Sequence, residues 1–283
     1  MNKTKLCLGL GGFGMTAVEQ IRYFKKLGFE GFFSGWSLGE DLGEYRKVAD
    51  EEGMIYQSVH APFMNAAKMW KSREEAQEAI DELIACLKDC AKVNVPIMVC
   101  HPFIGFEDHD PTECGIENYR EVVEVAKELG VKVAIENTEG QEYLEALMEA
   151  FKEYDNVGFC WDTGHEMCYN RSEDLLAKFG DKLIATHIND NLGIKDYDGE
   201  ITWIDDLHLL PFDGIADWED IVHRLNKCGF NDILTFELTT GSKPGRHEND
   251  KYAKMSTDEY LAEAYARACR VAVLKQRDAA KNK

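Results

Sequence analysis

Short apolar runs and amphipathic stretches alternate from one end of the chain to the other. Residues 6–10 read as a strand and 16–26 as a helix; the pairs 30–34 and 42–52, 55–60 and 72–92, and 96–101 and 116–129 repeat the theme. Four more pairs follow, at 131–136 and 142–154, 157–162 and 172–179, 183–187 and 218–228, and 233–237 and 257–274. The strand segments are almost continuously apolar, as when both faces of a parallel sheet are covered. Glycines follow Leu27, Leu129 and Cys228, where a helix takes a left-handed stop. No proline-rich linker or low-complexity tract interrupts the eight units. They predict one α/β domain over residues 1–283, closed as a (β/α)8 barrel in preference to an open sheet.

The first turn carries a competing signal. Gly9-Leu10-Gly11-Gly12-Phe13-Gly14 follows a strand and opens a helix, as a dinucleotide-binding loop does. Such a fold needs an acid at the end of the second strand to hold the ribose, and this strand ends Phe33-Ser34-Gly35-Trp36. The glycines therefore read as a loop at the barrel mouth, and no nucleotide cofactor is expected.

Composition narrows the partners. A chain of 283 residues buries a core large enough to fold without disulfides. Its nine cysteines are scattered with no CxxC pair, which suits a reducing, cytoplasmic setting. The first ten residues lack the apolar core of an export signal, and no run of about 18 apolar residues suggests a membrane span. With 52 acidic against 32 basic residues the net charge is −20. Duplex binding draws its affinity from Lys and Arg displacing counterions, so nucleic acid is not an expected partner. A homo-oligomer is compatible with the sequence, which does not fix the oligomeric state.

Catalytic groups in a β/α barrel come from the C-terminal ends of its strands. Here six consecutive strands end in His60, His101, Glu136, Asp162, His187 and Glu237. One histidine or one acid at a strand end is commonplace. However, five of the eight histidines occupy these ends or the adjoining loops, and a barrel brings all of them towards one axis. Converging carboxylates repel one another unless a cation neutralises them. A set of two Glu, one Asp and one His suits Mn²⁺ or Mg²⁺, and additional histidines would favour Zn²⁺. The loop after the seventh strand adds Asp206-Leu207-His208, whose two polar side chains would share one side of an extended segment.

Three motifs, Ile135-Glu136-Asn137-Thr138, Trp161-Asp162-Thr163-Gly164-His165 and Asp206-x-His208-Leu209-x-Pro211, together resemble the xylose isomerase-like TIM barrel superfamily. That superfamily includes sugar and sugar-phosphate isomerases and epimerases, and also the endonuclease IV enzymes. The resemblance implies one divalent metal on Glu136, Asp162, His187 and Glu237, with Glu136 and Glu237 as the acid/base pair. It also implies a rival reading. In the endonuclease IV type, three zinc ions use positions matching His60, His101, Glu136, Asp162, His165, His187, Asp206, His208 and Glu237, all present in this chain. Some ketose epimerases carry an Arg shortly after the histidine of the seventh strand, whereas Gly193 stands six residues on here.

The function expected is a metal-dependent isomerase or epimerase acting on a sugar, ketose or sugar phosphate through an enediolate. His101 and His165 would orient substrate or shuttle protons, and Trp36, Phe63, Phe103 and Trp161 would supply apolar walls. Alternatives are a trinuclear-zinc phosphodiesterase and a barrel that binds sugar without turning it over.

Overall fold

Strand pairing follows chain order. The computed structural model describes residues 4–107, 109–194 and 200–281. Its eight strands are β1 (Leu6–Gly9), β2 (Gly31–Gly35), β3 (Ile55–His60), β4 (Ile97–Cys100), β5 (Lys132–Glu136), β6 (Val157–Asp162), β7 (Leu183–His187) and β8 (Leu234–Phe236). Each is parallel to its neighbours, and β1 also pairs with β8. The barrel closes between β7 and β8, where Ile188 bridges Phe236. The Ile188 amide donates to the Thr235 carbonyl at 2.8 Å, and the Glu237 amide donates to the Ile188 carbonyl at 3.2 Å.

The covering helices are α1 (Ala17–Leu27), α2 (Leu42–Glu52), α3 (Arg73–Lys92), α4 (Glu113–Leu129), α5 (Gln141–Ala150), α6 (Thr163–Cys168), α7 (Leu175–Phe179), α8 (Trp218–Lys227) and α9 (Thr257–Lys281). Their starts are written in local chemistry. Thr16 with Glu19 and Ser72 with Glu75 form reciprocal capping boxes, each satisfying amides that the first turn leaves unpaired. Gly28, Gly53 and Gly130 end α1, α2 and α4 in the left-handed region. No helix among the described residues is long and apolar enough to cross a membrane.

Alternation along the strands separates two cores. Side chains facing outward pack with the helices, whereas Ile97, Val99, Ala134, Cys160 and Ala185 form a separate small cluster within the barrel. A period of two carries the inward face onward from Val99, Ala134, Cys160 and Ala185 to His101, Glu136, Asp162 and His187. The apolar floor thus lies one step below the polar strand ends.

Several boundaries differ from the sequence expectation. α6 follows β6 without a loop, because Asp162 is at once the strand's last residue and the helix cap, accepting from the His165 amide. The expected helix over 172–179 shrinks to α7, since Arg171 and Ser172 both adopt positive φ before Asp174 caps it. The helix expected at 116–129 begins at Glu113, capped by Thr112, and that expected at 142–154 stops at Ala150. α9 runs on to Lys281, and Lys275 is buried, donating to Asn226 Oδ1 at 2.9 Å.

Candidate metal and substrate site

Each polar strand end is held by a neighbour of its own. Glu136, fully buried at the end of β5, faces His187 Nδ1 at 2.9 Å with Oε1. Its Oε2 faces His60 Nε2 at 3.2 Å and His101 Nε2 at 3.6 Å. Asp162 accepts from the His165 amide at 2.6 Å and from Asn189 Nδ2 at 2.9 Å. Asn137 locks β5 to β6, accepting from the Asp162 amide at 2.8 Å and donating to its carbonyl at 2.9 Å. Gly164 is required at close quarters, because a Cβ there would collide with the Asn189 side chain.

The Asp206–His208 loop is tied down from two sides. Asp190, buried beyond β7, accepts from the Phe212 amide at 2.8 Å, the Ala216 amide at 3.0 Å and Trp218 Nε1 at 3.1 Å. His208 takes φ 45°, so the segment is not extended as the spacing suggested. The turn nonetheless sets His208 Nε2 2.8 Å from Asp206 Oδ1.

Three histidines share a telling orientation. Nδ1 of His60 meets the Ala61 carbonyl at 2.8 Å, that of His165 the Asn137 carbonyl at 2.9 Å, and that of His208 the Glu237 carbonyl at 3.2 Å. A carbonyl only accepts, so Nδ1 carries the hydrogen and a neutral ring turns the lone pair of Nε2 to its other side. In all three that side is a carboxylate: Glu136 for His60, and Asp206 for His165 and His208. Lone pair then faces lone pair unless a proton or a metal ion lies between. Histidines that bind metal are oriented in this way, with the distal N–H on a backbone carbonyl.

Without a metal, protons fill that role. Burial opposes charge on His187, yet the neighbouring Cys160, Glu136 and Glu237 hold its pKa well above the ordinary value. His165 is raised likewise against burial by Asp162 and Asp206, and His208 against burial by Asp206, to about 9. His60 rises despite burial through Glu136, while burial depresses His101. Burial would raise Glu237, but His187 and His208 hold it at about 2. The same competition leaves Glu136 and Asp206 well below the usual carboxylate range, whereas burial wins at Asp162 and raises it.

The structure gathers all nine residues singled out in the sequence. Ligand atoms of Glu136, Asp162, His187 and Glu237 lie within 4.8 Å of one another. So do those of His60, His101 and Glu136, and those of Asp162, His165 and His208. Glu136 and Asp162 are each shared between two of these three groups, and Asp206 touches both His165 and His208. Cys160 joins Glu136 and His187 from below, a proximity the sequence reading did not anticipate.

The walls only partly match expectation. Phe63 stacks on His101 at 4.5 Å, and Trp36 borders the cavity on the β1–β3 side. Trp161 does not line the cavity. Strand alternation that turns Asp162 inward turns Trp161 outward, where it donates to Glu166 at 2.8 Å under the Arg224 guanidinium. Phe103 stacks instead on Tyr143 at 4.1 Å. Their places are taken by Phe33, stacked on His187 at 4.8 Å, and by Met64, Ile104, Phe106, Tyr169 and Trp203. Lys243, 3.3 Å from Asp206 Oδ2, also reaches in from the loop after β8. No pattern marked it, since a lone lysine in a polar loop looks like any solvated one. Two cavities that share His60, Phe63, Asp206, His208 and Glu237 lie over the strand ends, about 490 Å³ beside His101 and His165 and about 560 Å³ beside Phe33 and Trp36, each within the range of small-molecule sites.

Comparison with known proteins agrees with this architecture. A curated relative, the uncharacterized protein y4fM of Sinorhizobium fredii (strain NBRC 101917 / NGR234), is 40% identical over 89 residues, which span 29% of this chain and 27% of that protein. Among solved structures, the zinc-bound IOLI protein superposes with a TM-score of 0.71 at 19% identity, over 96% of this chain and 98% of its own. An L-ribulose 3-epimerase superposes with a TM-score of 0.71 at 16% identity, over 99% and 97% of the two chains. At such identities these structures share the fold. The model of the xylose isomerase-like TIM barrel family matches residues 21–263, and the chain belongs to that family.

Proposed function

We propose that the protein is a sugar isomerase or epimerase using one divalent cation held by Glu136, Asp162, His187 and Glu237. The observation that carries this reading is the placement of Glu136 Oε1 and Glu237 Oε2 on the same histidine nitrogen, His187 Nδ1, at 2.9 and 3.1 Å. Three carboxylates and one imidazole form a hard donor set, which favours Mn²⁺ or Mg²⁺ over Zn²⁺. When bound, such a cation polarises a sugar carbonyl and its neighbouring hydroxyl.

The chain's residues supply the rest. Glu237 borders the cavity and keeps 27% of its side chain exposed, so it meets substrate first. One glutamate takes the proton from the carbon next to the carbonyl. The C–H electron pair becomes the C=C bond of an enediolate, and the carbonyl π pair moves onto oxygen. The other glutamate returns a proton. Delivery to the opposite face of the same carbon, with the oxyanion pair re-forming the carbonyl, epimerises; delivery to the former carbonyl carbon, with the neighbouring hydroxyl passing its proton to the oxyanion, isomerises. His101, His165 and His208 line the cavity and are placed to hold hydroxyls, while Phe63 and Phe33 keep water from the reacting face. The structural kinship with an epimerase supports this reading.

A trinuclear-zinc phosphodiesterase is the second reading, favoured by the three ligand groups sharing Glu136 and Asp162. Against it stands the net charge of −20, which opposes a polyphosphate partner. Metal analysis of the purified protein separates the two: one Mn or Mg per chain fits the isomerase, and three Zn fit the phosphodiesterase. A screen of ketoses and aldoses for deuterium uptake from solvent then tests turnover. Sugar binding without uptake would point to a non-catalytic barrel.

A further inference from the structure

The cavity beside His101 and His165 shares a wall with one farther out. Phe106, Glu139, Tyr169 and Trp203 border both this cavity and the adjoining one of about 820 Å³. Together they exceed what a single sugar ring needs, since either alone falls in the range that encloses a small ligand.

Two features say what the outer cavity takes. First, seven large hydrophobic side chains are exposed among the described residues, and four of them, Phe63, Met64, Phe106 and Trp203, stand around this double opening. Trp203 leaves half its surface open, with the Lys243 ammonium 5.4 Å from its ring centre on one side, and Phe106 tilts against Tyr169 at 5.9 Å, giving flat apolar faces beside polar groups. Second, the described lining of the outer cavity carries five glutamates against Arg171 and His109; Glu142 pairs with His109 at 2.6 Å and Glu173 with Lys178 at 2.7 Å, and negative charge still prevails. A phosphate there would meet strong repulsion, whereas hydroxyl groups would find acceptors. Glu139 spends Oε1 on the Gly105 amide at 2.9 Å and retains further lone pairs. A pyranose ring presents both complements: C–H faces that lie on aromatic rings, and a girdle of hydroxyl donors.

We propose that the outer cavity is a subsite for a second, uncharged sugar ring, so that the reacting sugar is the end unit of a disaccharide or related glycoside. The inference rests on the isomerase or epimerase reading for the inner ring. It also separates this chain's substrate from sugar phosphates, whose distal charge the outer glutamates would repel.

The test uses the full-length, Mn²⁺-loaded protein and titration calorimetry with fructose, fructose 6-phosphate and three glucosyl-fructoses of different linkage: turanose, maltulose and isomaltulose. At least one disaccharide is expected to bind about tenfold more tightly than fructose, and the phosphate no more tightly. Ile204→Trp places bulk in the outer cavity only. It should remove the disaccharide's advantage while fructose binding, which also reports correct folding, stays within about twofold. The subsite is refuted if no disaccharide outbinds fructose, if the phosphate binds tightest, or if Ile204→Trp weakens fructose and disaccharide equally. Tight disaccharide binding without deuterium uptake would keep the subsite and remove the isomerase reading. Failure of every sugar to bind would overturn both.

Discussion

The two halves of the barrel mouth are built on opposite principles. From β3 to β8 the strand ends carry His60, His101, Glu136, Asp162, His187 and Glu237, whereas β1 and β2 end in Gly9 and Gly35. One half supplies charge and the other supplies room. At Gly9 a Cβ would lie 2.6 Å from the Phe33 ring, and that ring stacks on His187. The apolar half thus fixes the orientation of His187, a proposed ligand on the polar half. A metal site needs both: donors that converge, and a neighbour that keeps them from turning away.

The largest effect should come from the charged half. Glu237→Gln or Glu136→Gln keeps the side chain's shape but removes its basicity. Each is expected to lower deuterium uptake into the active sugar by about 10²–10⁴-fold, with the circular dichroism spectrum unchanged. A double variant that still exchanges would remove the acid/base assignment.

Next comes the support beneath a proposed ligand. Asn189→Ala deletes the 2.9 Å hydrogen bond to Asp162 and is expected to weaken metal affinity by about 10–100-fold, read by competition with a chelating dye. Unchanged affinity would mean that Asp162 is oriented by the His165 amide alone.

The glycine half is tested by packing. Gly9→Val should destabilise the fold by roughly 1–3 kcal/mol in denaturant unfolding, because the Phe33 ring must leave its stack on His187 to make room. Adding Phe33→Ala should return part of that loss. Purely additive losses would show that the two residues do not conflict.

The smallest effect is a pH dependence of the metal-free protein. His208 has its pKa raised from 6.5 to about 9, so its stabilising charge is complete below pH 6.5 and lost as pH climbs through 9. Glu237 is lowered from 4.5 to about 2, so its contribution is complete above pH 4.5 and lost as pH falls through 2. Unfolding in chelator should therefore show stability declining on both sides of a plateau between about pH 4.5 and 6.5. Metal loading near pH 7 should release protons from these rings, seen as a dependence of the calorimetric heat on buffer ionisation. Alkaline stability that does not fall in chelator would contradict the protonated cluster.

Most of the architecture was legible because it is local. A short apolar run with turn residues at each end marks a buried strand without reference to anything distant, and a run of eight such units, each followed by an amphipathic stretch, leaves few ways to close. Where local signals competed, the sequence misled. Asp162 could end a strand or cap a helix and does both, so α6 was missed. The last helix, expected to end at 274, runs on to Lys281 and carries Lys275 against Asn226.

The sequence by itself determined which residues stand at the strand ends, and hence that four carboxylates and five histidines would share one mouth. Only the tertiary structure decided how they meet. The backbone carbonyls that claim Nδ1 of His60, His165 and His208 belong to Ala61, Asn137 and Glu237, two of them far away in the chain. Trp161 and Phe103 turned away while Phe33, Trp203 and Lys243 turned in, and the outer cavity arose between loops that share no motif. Strand periodicity is set by bonds along the chain, so it can be read one residue at a time. Side-chain direction in loops and the shape of a cavity depend on distances between segments, and those exist only once the barrel has closed.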